Sequence, residues 1–154
     1  MTLKVNDSAP VFESISDDGS KFSLSDIIGK SNIVLYFYPK DFTTGCTKEA
    51  CQFRDNWEKV IAQGATVIGV SSDDQATHAD FKKKHGLPFT LVSDKTKSIR
   101  KLYDAMGMFL PQRVTYVVDK SGKIRNVFNS QLNISRHIEE ALKSLNDISG
   151  EAKN

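Results

Sequence analysis

The chain has 154 residues, 21 Lys+Arg against 19 Asp+Glu, 39% hydrophobic residues and two cysteines, which fits one domain able to bury a core without disulfide staples or a structural metal. A net charge of +2 with both signs mixed along the chain supplies no basic field for a phosphate backbone, so nucleic acid is not expected as a partner. The longest apolar run, Ile33 to Tyr38, covers six residues, far short of the ~20 that span a bilayer as a helix, so no membrane segment is expected. Met1 to Pro10 lack the apolar stretch of a signal peptide, and a cytoplasmic protein with reduced thiols is the expectation.

Val11 to Ser16 and Lys21 to Ser23 flank Asp17-Asp18-Gly19-Ser20, whose Asp and Gly suit a tight turn; they predict a small hairpin. Leu24 to Ile28 reads as a short helical turn closed by Gly29. The unbroken run Ile33 to Tyr38 predicts a strand covered on both faces, in the middle of a sheet. From Cys46 to Gln63 the residues Cys46, Ala50, Phe53, Trp57, Val60 and Ile61 fall within ~100° of a helix circumference, so one amphipathic helix is expected, stopped by Gly64.

Thr66 to Ser71 predicts a second buried strand. Gln75 to His85 predicts a helix ended by Gly86 and Pro88, and Phe89 to Val92 a short strand. Lys95 to Tyr103 reads as a Lys/Ser-rich helical segment, and Met106 to Pro111 as a loop. Val114 to Val118 and Ile124 to Phe128 predict a hairpin turned at Lys120-Ser121-Gly122. A last helix, about Ser135 to Leu145, sets Ile134, Ile138, Leu142 and Leu145 on one face, and Ser149 to Asn154 reads as a polar, frayed tail. Parallel strands joined by helices, followed by an antiparallel hairpin and a closing helix, describe an α/β thioredoxin-like fold with an N-terminal β-hairpin extension.

After the central strand, Pro39-Lys-Asp-Phe-Thr-Thr-Gly-Cys46 places Cys46 at the first turn of its helix. Unpaired N–H groups and the positive end of the helix dipole favour the thiolate there, and the thiolate is the nucleophile. The same position equally fits a buried, inert cysteine sharing the apolar stripe with Ala50, Phe53 and Trp57. Cys51 lies five residues on, about 140° round the helix, beside Asp55 and Glu58 and facing outward. In an ideal helix the two Cα atoms stand about 8.7 Å apart, beyond the ~7 Å that a disulfide bridges, so bonding them requires the first turns to unwind.

Pro39-x3-Thr43-x2-Cys46 resembles the proline, threonine and peroxidatic cysteine signature of peroxiredoxins. The run from Tyr36 to Asp55, with a second cysteine at position 51, is similar to the bacterioferritin-comigratory-protein or peroxiredoxin Q branch. The likeness extends from about Val5 to Leu145 and includes Val70-Ser-Ser-Asp73, Leu91-Val-Ser-Asp94 and Arg113-Val-Thr-Tyr-Val-Val-Asp119. Thr44 stands where many members have proline, which implies altered loop stiffness rather than lost activity.

The resemblance implies a single thioredoxin-like peroxiredoxin domain over residues 1–154. Cys46 attacks the peroxide and becomes a sulfenic acid, Cys51 resolves it as an intramolecular disulfide, and thioredoxin or a similar dithiol donor reduces the pair. It further implies that Thr43 hydrogen-bonds peroxide and thiolate, that Arg113 stabilises the thiolate, that Pro39 shields the sulfur, and that Glu49 orients the arginine. Without it, Thr43 reads as a helix cap, Arg113 as a surface arginine, Pro39 as punctuation and Glu49 as a complement to the helix dipole. The branch leans towards a monomer, since resolution within one chain needs no partner subunit.

Lys82-Lys-Lys-His85 reads as the solvated face and last turn of a helix. His78, His85 and His137 lack a second histidine at ligand spacing, and Cys46-x4-Cys51 sits at the loose edge of zinc-motif spacing, so no metal site is expected. Without a phosphate loop or dinucleotide fingerprint, no bound cofactor is expected. Two other readings stay open: a thiol-disulfide oxidoreductase, although those usually carry Cys-x-x-Cys, and a redox-sensing or holdase-type binding module that exposes Phe53 and Trp57 on oxidation.

Overall fold

Alternation along the apolar run around Tyr36 divides the interior in two. Ile33, Leu35 and Phe37 point into a layer with Phe12, Leu24, Tyr103 and Tyr116, while Val34, Tyr36 and Tyr38 point into a layer with Cys46, Ala50, Phe53 and Leu145. Successive side chains of a strand face opposite sides, so an unbroken apolar run is stable only where both faces are covered.

The computed structural model describes residues 3–107 and 112–152. Its elements are β1 (Glu13–Ser16), β2 (Lys21–Ser23), a 3-10 turn (Leu24–Asp26), β3 (Asn32–Phe37), α1 (Thr44–Asp55), α2 (Trp57–Ala62), β4 (Ala65–Ser71) and α3 (Gln75–His85). They continue with β5 (Thr90–Ser93), α4 (Ser98–Leu102), β6 (Val114–Val118), β7 (Ile124–Asn129) and α5 (Ile134–Ala152). The strands form one sheet in the order β2-β1-β5-β4-β3-β6-β7. β3 pairs parallel with β4 and antiparallel with β6, β4 pairs parallel with β5, and β6 with β7 antiparallel. This is the thioredoxin-like arrangement, and the β1–β2 hairpin extends it by pairing antiparallel with β5. Among the described residues no helix is long and apolar enough to cross a membrane.

Three expectations need correction. The single helix from Cys46 to Gln63 is two helices that begin at Thr44 and break at Asn56, where the side-chain Nδ2 donates to the Gln52 carbonyl at 2.8 Å and competes with the helical ladder. The segment from Lys95 is helical only over Ser98–Leu102, because Lys97 takes a left-handed φ of 63°. The tail expected to fray from Ser149 continues α5 to Ala152: Ile148 packs against the core, the Ser149 hydroxyl donates to Gln63, and Arg125 pairs with Glu151. The expected loop at Met106 to Pro111 lies partly outside the described residues.

Candidate active site

The chain leaves β3 and turns through Pro39 and Asp41 before entering α1. Asp41 is buried, and its carboxylate accepts hydrogen bonds from the Tyr38 hydroxyl and from His78 Nδ1 at 2.6 Å. Its backbone N–H donates to Asp73 Oδ2 at 2.8 Å. Phe42 takes a left-handed φ of 63°, unusual for a bulky residue, and the loop carries that strain with the Phe42 ring edge-on to Phe81 at 5.1 Å. Fully buried Arg100 donates to the carbonyls of Tyr38, Ala105 and Gln112, at 2.6, 2.9 and 2.7 Å.

Cys46 is the third residue of α1 and only 1% exposed. Arg113 Nη2 donates to its sulfur at 3.4 Å, and Arg113 Nη1 donates to Glu49 Oε1 at 2.7 Å. The topology explains the meeting: β6 runs antiparallel to β3 with Val114 opposite Phe37, so Arg113 sits where β3 ends and α1 begins. Gly45 makes room for it, since a Cβ there would lie 3.1 Å from Arg113 Nη2 and 2.9 Å from Ile134 Cδ1.

Glu49 is also buried, one helical turn from Cys46. Burial pushes its carboxyl up to about 7 against the opposing pull of Arg113. For Arg113, burial disfavours the charge, but Glu49 and Cys46 outweigh it and hold the guanidinium above its ordinary value. His137 Nδ1 faces Glu49 Oε2 at 3.5 Å and the Thr115 hydroxyl at 2.7 Å, while Nε2 faces the Ser130 carbonyl at 2.8 Å. Burial lowers His137 to about 4, helped by Arg113 and opposed by the Ser130 carbonyl, so at neutral pH it is a neutral ring against Glu49 and not half of an ion pair.

The structure brings Cys46, Glu49 and Arg113 into one contact chain. Thr43 occupies the N-cap position in extended conformation, yet its side chain makes no cap bond; its hydroxyl donates to the Lys40 carbonyl at 2.8 Å. Pro39 is half-buried in the same loop. Cys51 was expected on the outer, polar side, but it is half-buried against α3, its sulfur 3.9 Å from His85 Nδ1. Both cysteines are free thiols on the unbroken helix α1. Sequence reasoning missed Arg100, hidden in a Lys/Ser-rich stretch, and the His137–Thr115 pair, which no local spacing announces.

Asp41, Asp73 and His78 each turn a ligand-type atom towards the others within 4.8 Å. Those atoms are engaged: His78 Nε2 faces the Val92 carbonyl at 3.2 Å, and Asp73 Oδ2 takes the Ser71 hydroxyl and the Asp41 N–H. The cluster is a hydrogen-bonded brace under the loop.

Fold and site together define a cysteine-centred protein on a thioredoxin-like sheet. Residues 5–127 match the AhpC/TSA family. A chloroplastic peroxiredoxin Q of Oryza sativa subsp. japonica is 48% identical over 144 residues, covering 91% of this chain and 65% of its own. That of Arabidopsis thaliana is 47% identical over 147 residues, covering 92% and 68%. The crystal structure of peroxidoxin BcpB from Mycobacterium tuberculosis superposes with a TM-score of 0.89 at 30% identity, covering 95% of this chain and 98% of that one. The chain belongs to the AhpC/TSA family, in its peroxiredoxin Q branch. It spans about two thirds of the length of the plant relatives named here.

Proposed function

We propose that this chain is a thiol peroxidase that reduces hydrogen peroxide and organic hydroperoxides. The observation that carries the reading is the Arg113 guanidinium 3.4 Å from the buried Cys46 sulfur. An ordinary thiol is only a few per cent ionised at neutral pH. A fixed cation and the first-turn N–H groups of α1 both favour the thiolate. The Cys46 thiolate attacks the terminal peroxide oxygen, the O–O bond breaks, and the leaving oxygen takes a proton to become water or alcohol. Cys46 is left as a sulfenic acid.

Glu49 serves this step by fixing Arg113. The Thr43 hydroxyl, which both donates and accepts, serves thiolate and peroxide when it turns from the Lys40 carbonyl, and Pro39 shields the sulfur from water and fixes the loop. Cys51 then displaces hydroxide from the sulfenic sulfur and forms a disulfide. Because the two cysteines share one helix, with Cα atoms about 8.7 Å apart in ideal geometry, this step unwinds the first turns of α1. Thioredoxin or a similar dithiol donor in a reducing compartment such as the cytoplasm restores the thiols. Resolution within one chain lets the protein work as a monomer.

Steady-state turnover tests the reading. Supplied with thioredoxin, its reductase and NADPH, the protein consumes hydrogen peroxide and an alkyl hydroperoxide catalytically, and Cys46→Ser does not. A wild-type protein that oxidises once and never turns over with any dithiol donor would leave a stoichiometric sensor instead.

A further inference from the structure

The Cys46 pocket leaves one contact of the cysteine pair without a role. Cys51 Sγ lies 3.9 Å from His85 Nδ1, between α1 and the last turn of α3. The ring of His85 lies edge-on to Phe81 at 5.1 Å and 6.5 Å from Phe42, and Arg54 of α1 holds its backbone by donating from Nη1 to the His85 carbonyl at 2.7 Å. Both Cys51 and His85 are half-buried, so the pair exchanges protons with solvent. In the Nε2–H tautomer, Nδ1 presents its lone pair to the sulfur.

Within four residues of Cys51 or His85 the charged groups are Lys48, Glu49, Arg54 and Asp55 on α1 and Lys82, Lys83 and Lys84 on α3. Of the two carboxylates, Glu49 accepts from Arg113 and Asp55 is held by Arg54 Nε at 3.0 Å. Lys82 reaches Asp17 at 3.0 Å, and Lys84 lies over the Phe42 ring at 5.9 Å. His85 is the group of this set positioned to take a proton from Cys51.

We propose that His85 is the general base of the resolving step, a role that rests on the reading of Cys51 as the resolving thiol. His85 Nδ1 takes the Cys51 proton as the α1 turns open. The Cys51 thiolate attacks the sulfenic sulfur of Cys46, the S–S bond forms as the S–O bond breaks, and the departing hydroxide recovers the proton as water. Cys51 is oxidised and the Cys46 sulfur reduced, with no further reagent. The tribasic run before His85 thereby has a chemical neighbour in addition to its solvated face.

The test separates the two chemical phases. Reduced wild type, His85→Gln and His85→Ala are mixed with one equivalent of hydrogen peroxide, quenched in acid over time and read by mass, from about pH 6.5 to about pH 9.5. The sulfenic acid forms at the wild-type rate in all three. At neutral pH the disulfide forms about tenfold more slowly in the variants, and the deficit closes towards the alkaline end, where a thiol ionises unaided. Added imidazole restores His85→Ala, and excess peroxide converts the longer-lived sulfenic acid to sulfinic acid. Wild-type resolution in His85→Gln at every pH would overturn the assignment, as would a slowing that is equal at all pH values and unrescued by imidazole. If wild type itself forms sulfenic acid but no Cys46–Cys51 disulfide, the resolver reading fails and the role of His85 with it.

Discussion

Arg113 Nη2 lies 3.4 Å from the sulfur of Cys46 across 67 positions of sequence. The guanidinium is itself fixed at its other end by Glu49, so its charge is aimed before any substrate arrives. Preorganised charge of this kind accounts for about 10²–10³ in rate at comparable sites. Arg113→Ala is expected to lose on that order of peroxide reactivity, and Arg113→Lys most of it, because an ammonium cannot hold carboxylate and sulfur with two separate donors. Stopped-flow oxidation by hydrogen peroxide measures both; Arg113→Ala reacting as fast as wild type would remove the arginine from the site.

Gly45 is the residue that lets this contact form. A methyl group there meets Arg113 Nη2 at 3.1 Å and Ile134 Cδ1 at 2.9 Å, and Arg113 cannot simply retreat while Glu49 holds it. Gly45→Ala, which adds a good helix former within α1, is expected to keep the fold and lose at least about tenfold in peroxide reactivity. Circular dichroism checks the first part and the oxidation rate the second.

The buried pair of Glu49 and His137 makes stability respond to pH with opposite signs. His137 has its pKa lowered from 6.5 to about 4. In that window the unfolded chain binds a proton that the folded chain does not, so stability rises with pH and is lost as pH falls through 4. Glu49, raised from 4.5 to about 7, holds a proton when folded that the unfolded chain releases, so stability falls over its window. In wild type the two slopes oppose each other. His137→Gln leaves only that of Glu49, and the gap between wild type and variant is expected to widen from pH 4 to pH 6.5 by on the order of 3 kcal/mol. Urea unfolding followed by Trp57 fluorescence gives the gap, and a constant difference across that range would contradict the assignment.

Much of this was legible in the chain because it is local. The run around Tyr36 allows only a strand covered on both sides, the apolar stripe from Cys46 announces a helix though not its break, and Gly86 marks the end of α3. Cys46 and Cys51 are placed by their spacing, and Arg113 by the segment that carries it. Contacts between distant segments were not legible. The break at Asn56 depends on which of two donors wins the Gln52 carbonyl, and the extension of α5 depends on Gln63, Arg125 and a core position for Ile148. His85 and His137 look alike as isolated histidines on helices. One meets the resolver candidate from α3, while the other lies under Glu49 beside Thr115, and only the sheet order decides which.

Oxidation of the reduced protein by one equivalent of hydrogen peroxide, followed through Trp57 and then by mass and thiol count, tests the central claim most directly. Trp57 is the only tryptophan; it starts α2 immediately after the break at Asn56 and packs against Phe89, so unwinding of α1 reaches it. The account predicts a fast phase and then loss of both thiols with two hydrogens, abolished by Cys46→Ser and stopped at sulfenic acid by Cys51→Ser. Oxidation no faster than that of a free thiol, with Cys46→Ser behaving as wild type, would contradict it.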